Sequence, residues 1–438
     1  MTAAVPGLTA PAKPAKLRAS EATLDSGLRI VAVRKPGVPL VEVRLRVPFL
    51  SDKPAHPAQS ALFADTILTG VDGYDRVGLA AAVQALGGDL SAGVDADRLV
   101  LVGNSLATNL RKLLDLVARV TTSATFAAEE VNTERGRLVE KLTIARARPG
   151  VVANEALSAR MWDGHPYGRD LAKPDDVAAV TAAQLRALHA RLVRPGKGVL
   201  VLVGDVAPGR MIDAASAAFA EWTGTPTRAK VAPLPEPPGG PWLVVDRPGS
   251  VQSTLRMARP AVTRTDPEYP ALHLANMIFG GYFTSRWTQN LREDKGYTYG
   301  PHSRIEHRLL GSTLVLSVEV QTEVTAPSVL ETLYELGRLA TLPATEEELA
   351  SVAQYAIGTL ALSTATQAGL ASTLSGLSGF GLGIDWLSEL PRQLQAVTIE
   401  DVTHAAGRFL APAGFTNVVV GDAATITAPL GTLVPVES

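Results

Sequence analysis

The feature that most constrains this chain is that it repeats itself. V-T-A-A-Q-L-R-A-L-H-A-R-L-V-R-P, beginning at Val180, runs into G-V-L-V-L-V-G-D-V ending at Val206. A second copy begins at Val397 as V-T-I-E-D-V-T-H-A-A-G-R-F-L-A-P and runs into F-T-N-V-V-V-G-D-A. At the single offset that aligns Val180 with Val397, Arg191 matches Arg408, Pro195 matches Pro412, and Gly204-Asp205 matches Gly421-Asp422, without a gap. Nearer the start of each copy, G-V-P-L-V-E-V-R-L-R-V-P from Gly37 pairs with G-S-V-Q-S-T-L-R-M-A-R-P from Gly249 at a slightly shorter offset. Between these anchors Arg119, Thr122 and Glu129 recur as Arg338, Thr341 and Glu348. Self-similarity at a nearly fixed offset marks a duplicated structural unit, so the 438 residues read as two domains and not as one core.

The stretch T-P-T-R-A-K-V-A-P-L-P-E-P-P-G-G between the copies is too rich in Pro and Gly for regular structure. It sets the organisation: an arm over residues 1–20, a first domain over 21–225, a linker over 226–240 and a second domain over 241–438. In the first domain, Leu28–Val33 and Val41–Val47 read as strands, Ala58–Leu68 as a helix ending at Gly70, and Arg76–Leu86 as a helix with Asp75 as N-cap. Hairpin strands flank Asp95-Ala96-Asp97, followed by a helix whose Leu110, Leu113, Leu114 and Val117 share one face. In the second, a helix opened by Asp266-Pro267-Glu268 reaches Phe279, where Gly280-Gly281 ends it. A short helix over Ser285–Arg292 is closed by Gly296, and Tyr299 enters the strands that continue through Leu314, Leu316 and Val318. The fold class is therefore α+β: two homologous domains, each a mostly antiparallel sheet covered by helices.

Composition limits the partners. Lys and Arg number 41 against 43 Asp and Glu, a formal net charge of -2, which gives no electrostatic reason to expect nucleic acid. There is no cysteine, so disulfides and thiolate metal sites are excluded. The Ala- and Pro-rich N-terminal arm lacks a signal-like apolar run, and no window approaches the roughly 18 apolar residues of a membrane span. A soluble, cytoplasmic protein is the expectation.

The duplicated plan, together with His165-Pro166-Tyr167-Gly168, the two V-T helix starts, the V-G-D strand ends and S-R-W-T-Q-N-L-R-E-D-K-G-Y-T-Y from Ser285 to Tyr299, resembles the pitrilysin/insulinase-like zinc peptidases, the inverzincins, in their small two-domain form. The resemblance implies a clamshell half. Active members carry H-x-x-E-H, in which two His one helical turn apart hold zinc and the Glu activates a bound water. Anchored on Leu68-Thr69-Gly70, that window here is Ala61-Leu62-Phe63-Ala64-Asp65, so Ala61, Ala64 and Asp65 stand where the imidazoles and the base would be. The third ligand of the family is a Glu further along the chain, matched at the family's separation from Asp65 by Glu140. One carboxylate does not hold a catalytic zinc, which takes three protein ligands. His56, His165, His189, His302, His307 and His404 are scattered without ligand spacing, and His273 stands alone on its helix. No metal and no other cofactor is expected in this chain.

In the family, an Arg and a Tyr seven positions apart in the second half reach the active site, bind substrate and stabilise the transition state. They match Arg292 and Tyr299 within L-R-x-x-x-G-x-x-Y. A guanidinium can donate two hydrogen bonds to a peptide carbonyl, and a phenol one to a developing oxyanion. The plainer alternatives are that Arg292 complements a helix dipole and that Tyr299 packs as a strand aromatic. Tyr297 is the rival phenol, read as lying on the same strand face, and Gly280 and Gly281 are candidates for close approach of a substrate backbone.

Keeping the substrate-side pair without any metal-side residue implies a partner: a homologous H-x-x-E-H subunit holding zinc, in a heterodimeric peptidase acting on unfolded peptides or a peptide precursor. The alternative is a catalytically inert structural or peptide-binding member of the family. An independent hydrolase has neither a nucleophile elbow nor paired carboxylates to work with. The degenerate window makes a direct prediction: the chain purified alone contains far less than stoichiometric zinc by elemental analysis, and one equivalent of tightly held zinc would overturn the reading.

Overall fold

The structure, a computed structural model, describes residues 17–169, 171–225 and 231–438. The first half is built on strands β1 (Arg18–Thr23), β2 (Arg29–Arg34), β3 (Leu40–Pro48), the short pair β4 (Gly70–Val71) and β5 (Tyr74–Asp75), β6 (Asp89–Val94), β7 (Arg98–Leu106) and β8 (Val199–Gly204). Apart from the short pair they form one sheet in the order β1-β2-β8-β3-β7-β6. The second half uses β9 (Trp242–Asp246), β10 (Gln252–Ala261), β11 (His302–Arg308), β12 (Gly311–Gln321), β13 (Thr416–Gly421) and β14 (Val436–Glu437), ordered β11-β12-β10-β13-β9-β14. Pairing is mostly antiparallel, with parallel contacts at β2-β8, β13-β9 and β14-β9. Two similar sheet-and-helix halves are thus what the repeat foretold.

Local chemistry explains why the repeat anchors recur. Thr181 accepts from the Gln184 backbone while Gln184 Oε1 accepts from the Thr181 N–H, and Thr398 and Asp401 do the same in the second copy. Each V-T is thus a capping box that satisfies helix-end donors. The glycine of each V-G-D is sterically required: a Cβ at Gly204 would lie 2.5 Å from the Leu40 carbonyl, and one at Gly421 2.7 Å from Ser253 Oγ.

Several boundaries differ from the sequence reading. The arm is shorter than 1–20, because Arg18–Thr23 pairs with β2, and residues 1–16 lie outside the described ones. Residues 231–240 carry no helix or strand, and 226–230 lie outside the described ones. The first-half helix runs His56–Thr66, and Gly70 belongs to β4. In the second half the helical run does end at the glycine pair, but the α-helix covers only Tyr269–Asn276 and the last stretch, Met277–Gly281, is a wide π-helical turn. Nor do Tyr297 and Tyr299 share a strand face: both sit in the loop before β11, which begins at His302.

The larger difference is how the sheets are covered. Helices of the same half cover only one face; the other face takes a helix from the opposite half. The helix Pro149–Met161 crosses to the second sheet, where Ala153, Leu157 and Met161 pack on Ala258, Val315, Val418 and Val420. The helix Gln367–Ser378 crosses to the first, where Leu370, Ala371 and Leu374 pack on Val31, Val33, Val199, Val201 and Val203. This makes β8 and β13 buried at every residue, which the unbroken V-L-V-L-V run of β8 permits. Each crossing helix is pinned by a buried arginine of the strand it covers. Arg256 Nε donates to Asn154 Oδ1 at 2.9 Å and Arg44 Nε to Ser372 Oγ at 3.3 Å. These two arginines are the repeat's own counterparts, balanced by Glu319 at 2.7 Å and Glu42 at 2.9 Å.

A third tie is made by His165-Pro166-Tyr167-Gly168. The Tyr167 hydroxyl donates to buried Asp97 and accepts from the Leu310 N–H at 3.3 Å, while Asp97 Oδ2 accepts from the Leu309 N–H at 2.9 Å. Replacing Tyr167 by Phe strips a donor from a buried carboxylate, so a loss of about 1–3 kcal/mol is expected in chemical denaturation. Acid sensitivity also follows from the cores. Burial lowers the pKa of His56 and His273 to about 4, and lowers those of His165 and His189. The unfolded chain therefore binds protons first: stability is full above about pH 6.5 and falls as pH drops toward 4. Thermal melts between pH 7.5 and 4.5 should show that decline, and a flat profile would contradict it.

Candidate functional site

The helix His56–Thr66 has the rotation that a metal site would need. Leu62 and Phe63 are fully buried, with the Phe63 ring 5.0 Å from Phe49 and 5.1 Å from Phe126, so the helix is anchored by the positions inside the motif window. Ala61, Ala64 and Asp65 are left on the outer side, and Ala61 lines a cleft of about 540 Å³ with His56, Ser60, Leu142 and Arg308. Two of the three motif places on this helix carry only a methyl group. The third, Asp65, has its pKa raised by burial, opposed by the nearby Lys141 ammonium and reinforced by Glu134.

Glu140, the candidate third ligand, is exposed and is not among the groups acting on Asp65. The acidic residue that faces inward on that helix is Glu134, held by Arg76 at 2.7 Å and Arg137 at 2.8 Å. Counting along the chain from Asp65 misses this, because one step along a helix turns a side chain by about 100°. Among the described residues, no three His, Cys, Asp or Glu come together as a metal site. A methyl pair and an ammonium do not fit zinc.

The second-half pair is built differently. Arg292 lies on the π-helical segment Gln289–Asp294, whose Leu291 is fully buried. After Gly296, at φ +66°, the chain returns: the Tyr297 N–H donates to the Leu291 carbonyl at 2.9 Å and Thr298 Oγ1 to the Glu319 carbonyl at 2.6 Å. Tethered this way, Tyr299 stands 90% exposed with the Arg292 guanidinium 5.1 Å from its ring centre. The Arg292 guanidinium also lies 4.4 Å from the ring centre of Phe283, itself 62% exposed, and its Nε reaches Glu293 at 3.1 Å. The result is a half-buried guanidinium in contact with two exposed rings at the surface, not a core contact. Phe283 was missed in the sequence, where nothing but its place just after Gly280-Gly281-Tyr282 marks it.

Tyr297 is half-buried beside a depression of about 260 Å³ shared with Tyr299, Gln252 and Glu319. The glycines do not meet the surface in the way supposed. Gly280 is buried, and a Cβ there would lie 2.8 Å from the Trp287 ring, which stacks on Phe279 at 5.1 Å. A Cβ on half-buried Gly281 would lie 3.0 Å from Asn276 Nδ2. Close internal packing, not an approaching substrate, accounts for Gly280.

The family model for insulinase, peptidase family M16, matches residues 60–175, and that for the peptidase M16 inactive domain matches residues 179–355. An uncharacterized zinc protease of Mycobacterium leprae is 26% identical over 292 residues, covering 65% of this chain and 65% of its own. One from Streptomyces coelicolor is 25% identical, over 64% and 63% respectively, so the matched region spans just under two thirds of these relatives' lengths. A probable inactive metalloprotease of Bacillus subtilis is 28% identical over 229 residues, covering 50% of this chain and 53% of its own. Among solved structures, a peptidase M16 inactive domain from Pseudomonas fluorescens superposes with a TM-score of 0.83 at 25% identity, covering 92% of this chain and 98% of that one. A protease from Helicobacter pylori shares the fold at 16% identity, with a TM-score of 0.84 over 92% of this chain and 99% of that one. Two adjoining matches from one peptidase family, on a shared fold that spans nearly the whole chain, make this protein a member of the M16 peptidase family whose own metal helix carries none of the H-x-x-E-H residues.

Proposed function

We propose that this chain is the metal-free subunit of a heterodimeric zinc peptidase: a homologous partner carries H-x-x-E-H and its zinc, and this chain lends Arg292 and Tyr299 to the partner's site. The observation that carries the reading is that a 90% exposed Tyr299 stands against the half-buried Arg292 guanidinium. A guanidinium set against Phe283 and a 90% exposed Tyr299 does little for its own fold, since an exposed cation–π contact contributes only about 0.5–1 kcal/mol. The ring contacts and the Nε–Glu293 pair do, however, fix the guanidinium and leave its Nη groups to donate to a peptide carbonyl. Tyr299 Oη, with no partner among the described residues, is free to donate to an oxygen that gains negative charge during attack. The substrate class in this reading is an unfolded peptide or peptide precursor.

The test is an assay of this chain, an H-x-x-E-H homologue and their mixture on unstructured peptides, with size-exclusion chromatography to follow assembly. Activity is expected only in the mixture. Arg292→Ala and Tyr299→Phe should each lower kcat/KM by about 10²–10³-fold with assembly intact; Arg292→Ala, which removes two ring contacts, should cost no more than about 2 kcal/mol of stability, and Tyr299→Phe no more than about 0.5 kcal/mol. Unchanged activity in both variants would remove the assigned roles and favour an inert, peptide-binding subunit.

A further inference from the structure

The second half has a cleft of its own where the first half has its Ala61 face. The helix Tyr269–Asn276 occupies the place in its half that His56–Thr66 occupies in the first, and His273 aligns with Ala61 at the same offset that aligns Gly249 with Gly37. It packs against Glu346–Ser363 as His56–Thr66 packs against Ala128–Arg146. Next to it opens a cavity of about 640 Å³, within the range of small-molecule sites.

The wall of this cavity is cationic and aromatic. Three arginines line it, and among the described residues no Asp or Glu does. Arg98 is paired with Asp95 at 2.7 Å, and Arg304 Nε donates to Glu306 at 2.9 Å. Arg264 has no ion pair among the described residues; its guanidinium lies 5.9 Å from the Tyr269 ring centre and 5.4 Å from that of buried Trp386. His273 stacks on Tyr269 at 5.6 Å, and His307 meets the same ring edge-on at 5.4 Å. Burial and the Arg264 charge lower these imidazoles to about 4 and about 3, so at neutral pH they add hydrogen-bonding capacity without charge. The hydroxyls of Thr359 and Ser363, also on the wall, are spent on carbonyls of their own helix.

One guanidinium without an ion pair among the described residues, set against two aromatic rings, suits a monoanion with an apolar body better than a phosphate dianion. We propose that this cavity binds a carboxylate carried on an apolar or aromatic group, with Arg264 donating to the carboxylate and Tyr269 and Trp386 covering the body. The ligand is either a peptide's free C-terminus or a small aromatic acid. The site stands independently of the Arg292–Tyr299 pair.

Isothermal titration of the full chain with acetyl-Ala-Phe, its C-terminal amide and 3-phenylpropanoate tests this. The free-acid peptide should bind, the amide should bind at least about tenfold more weakly, and Arg264→Gln should lower affinity for the acid at least about tenfold, with Arg264→Lys intermediate and circular dichroism unchanged. A peptide acid that outbinds 3-phenylpropanoate about tenfold assigns the C-terminus; equal affinities assign a small acid. Equal binding of acid and amide, an unchanged affinity in a folded Arg264→Gln, or no heat from either acid at millimolar concentration would overturn the proposal.

Discussion

The structure depends on an exchange: each half lends one helix to cover the second face of the other's sheet. Without it, β8 and β13 would expose Val199, Val201, Val203, Val418 and Val420, and each such side chain returned to water costs about 1.5–3 kcal/mol. The crossing helices are located by buried arginines, and a buried charge tolerates only a surface that returns its hydrogen bonds. Arg44 and Arg256 find those bonds in Ser372 and Asn154, on helices remote in sequence. Orientation between the halves is thus set by polar pins within an apolar contact, reinforced by the Tyr167–Asp97 tie.

That frame separates fold from chemistry. The helix His56–Thr66 is held by Leu62 and Phe63, and not by the outward positions at which its active relatives place their metal ligands. Alanines on the outer face therefore leave the packing undisturbed, so membership of the M16 family and absence of its metal motif coexist without strain. In the second half the same reasoning runs the other way. Arg292, Tyr299 and Phe283 are held by a π-helical turn and a tethered loop, and that local investment positions groups which add little to the core.

What could be read from the sequence follows the range of the forces involved. Capping boxes, strand alternation and the repeat are local or self-referential, so Thr181, Thr398 and the V-G-D glycines marked the two halves directly. The continuous Val199–Val203 run carried the sign of two-sided burial, but nothing near Leu370 or Leu374 says which sheet those residues will meet. The site was legible in its residue types and less so in its geometry. Counting placed Glu140 at the ligand distance, while the helix turns Glu134 inward. Tyr297 and Tyr299 looked like strand residues because aromatic spacing imitates alternation, and the wide turn has no signature apart from its glycine pair, of which Trp287 crowds Gly280 and Asn276 crowds Gly281.

The exchange of helices also bears on modularity. Although the polypeptide is written as a tandem duplication, neither copy is a self-sufficient piece: excising one would take away a layer of its sibling and bare a hydrophobic sheet. Such interlocking forbids recombination of the halves as separate cassettes, and a cut in the connecting segment would leave two fragments still clasped together.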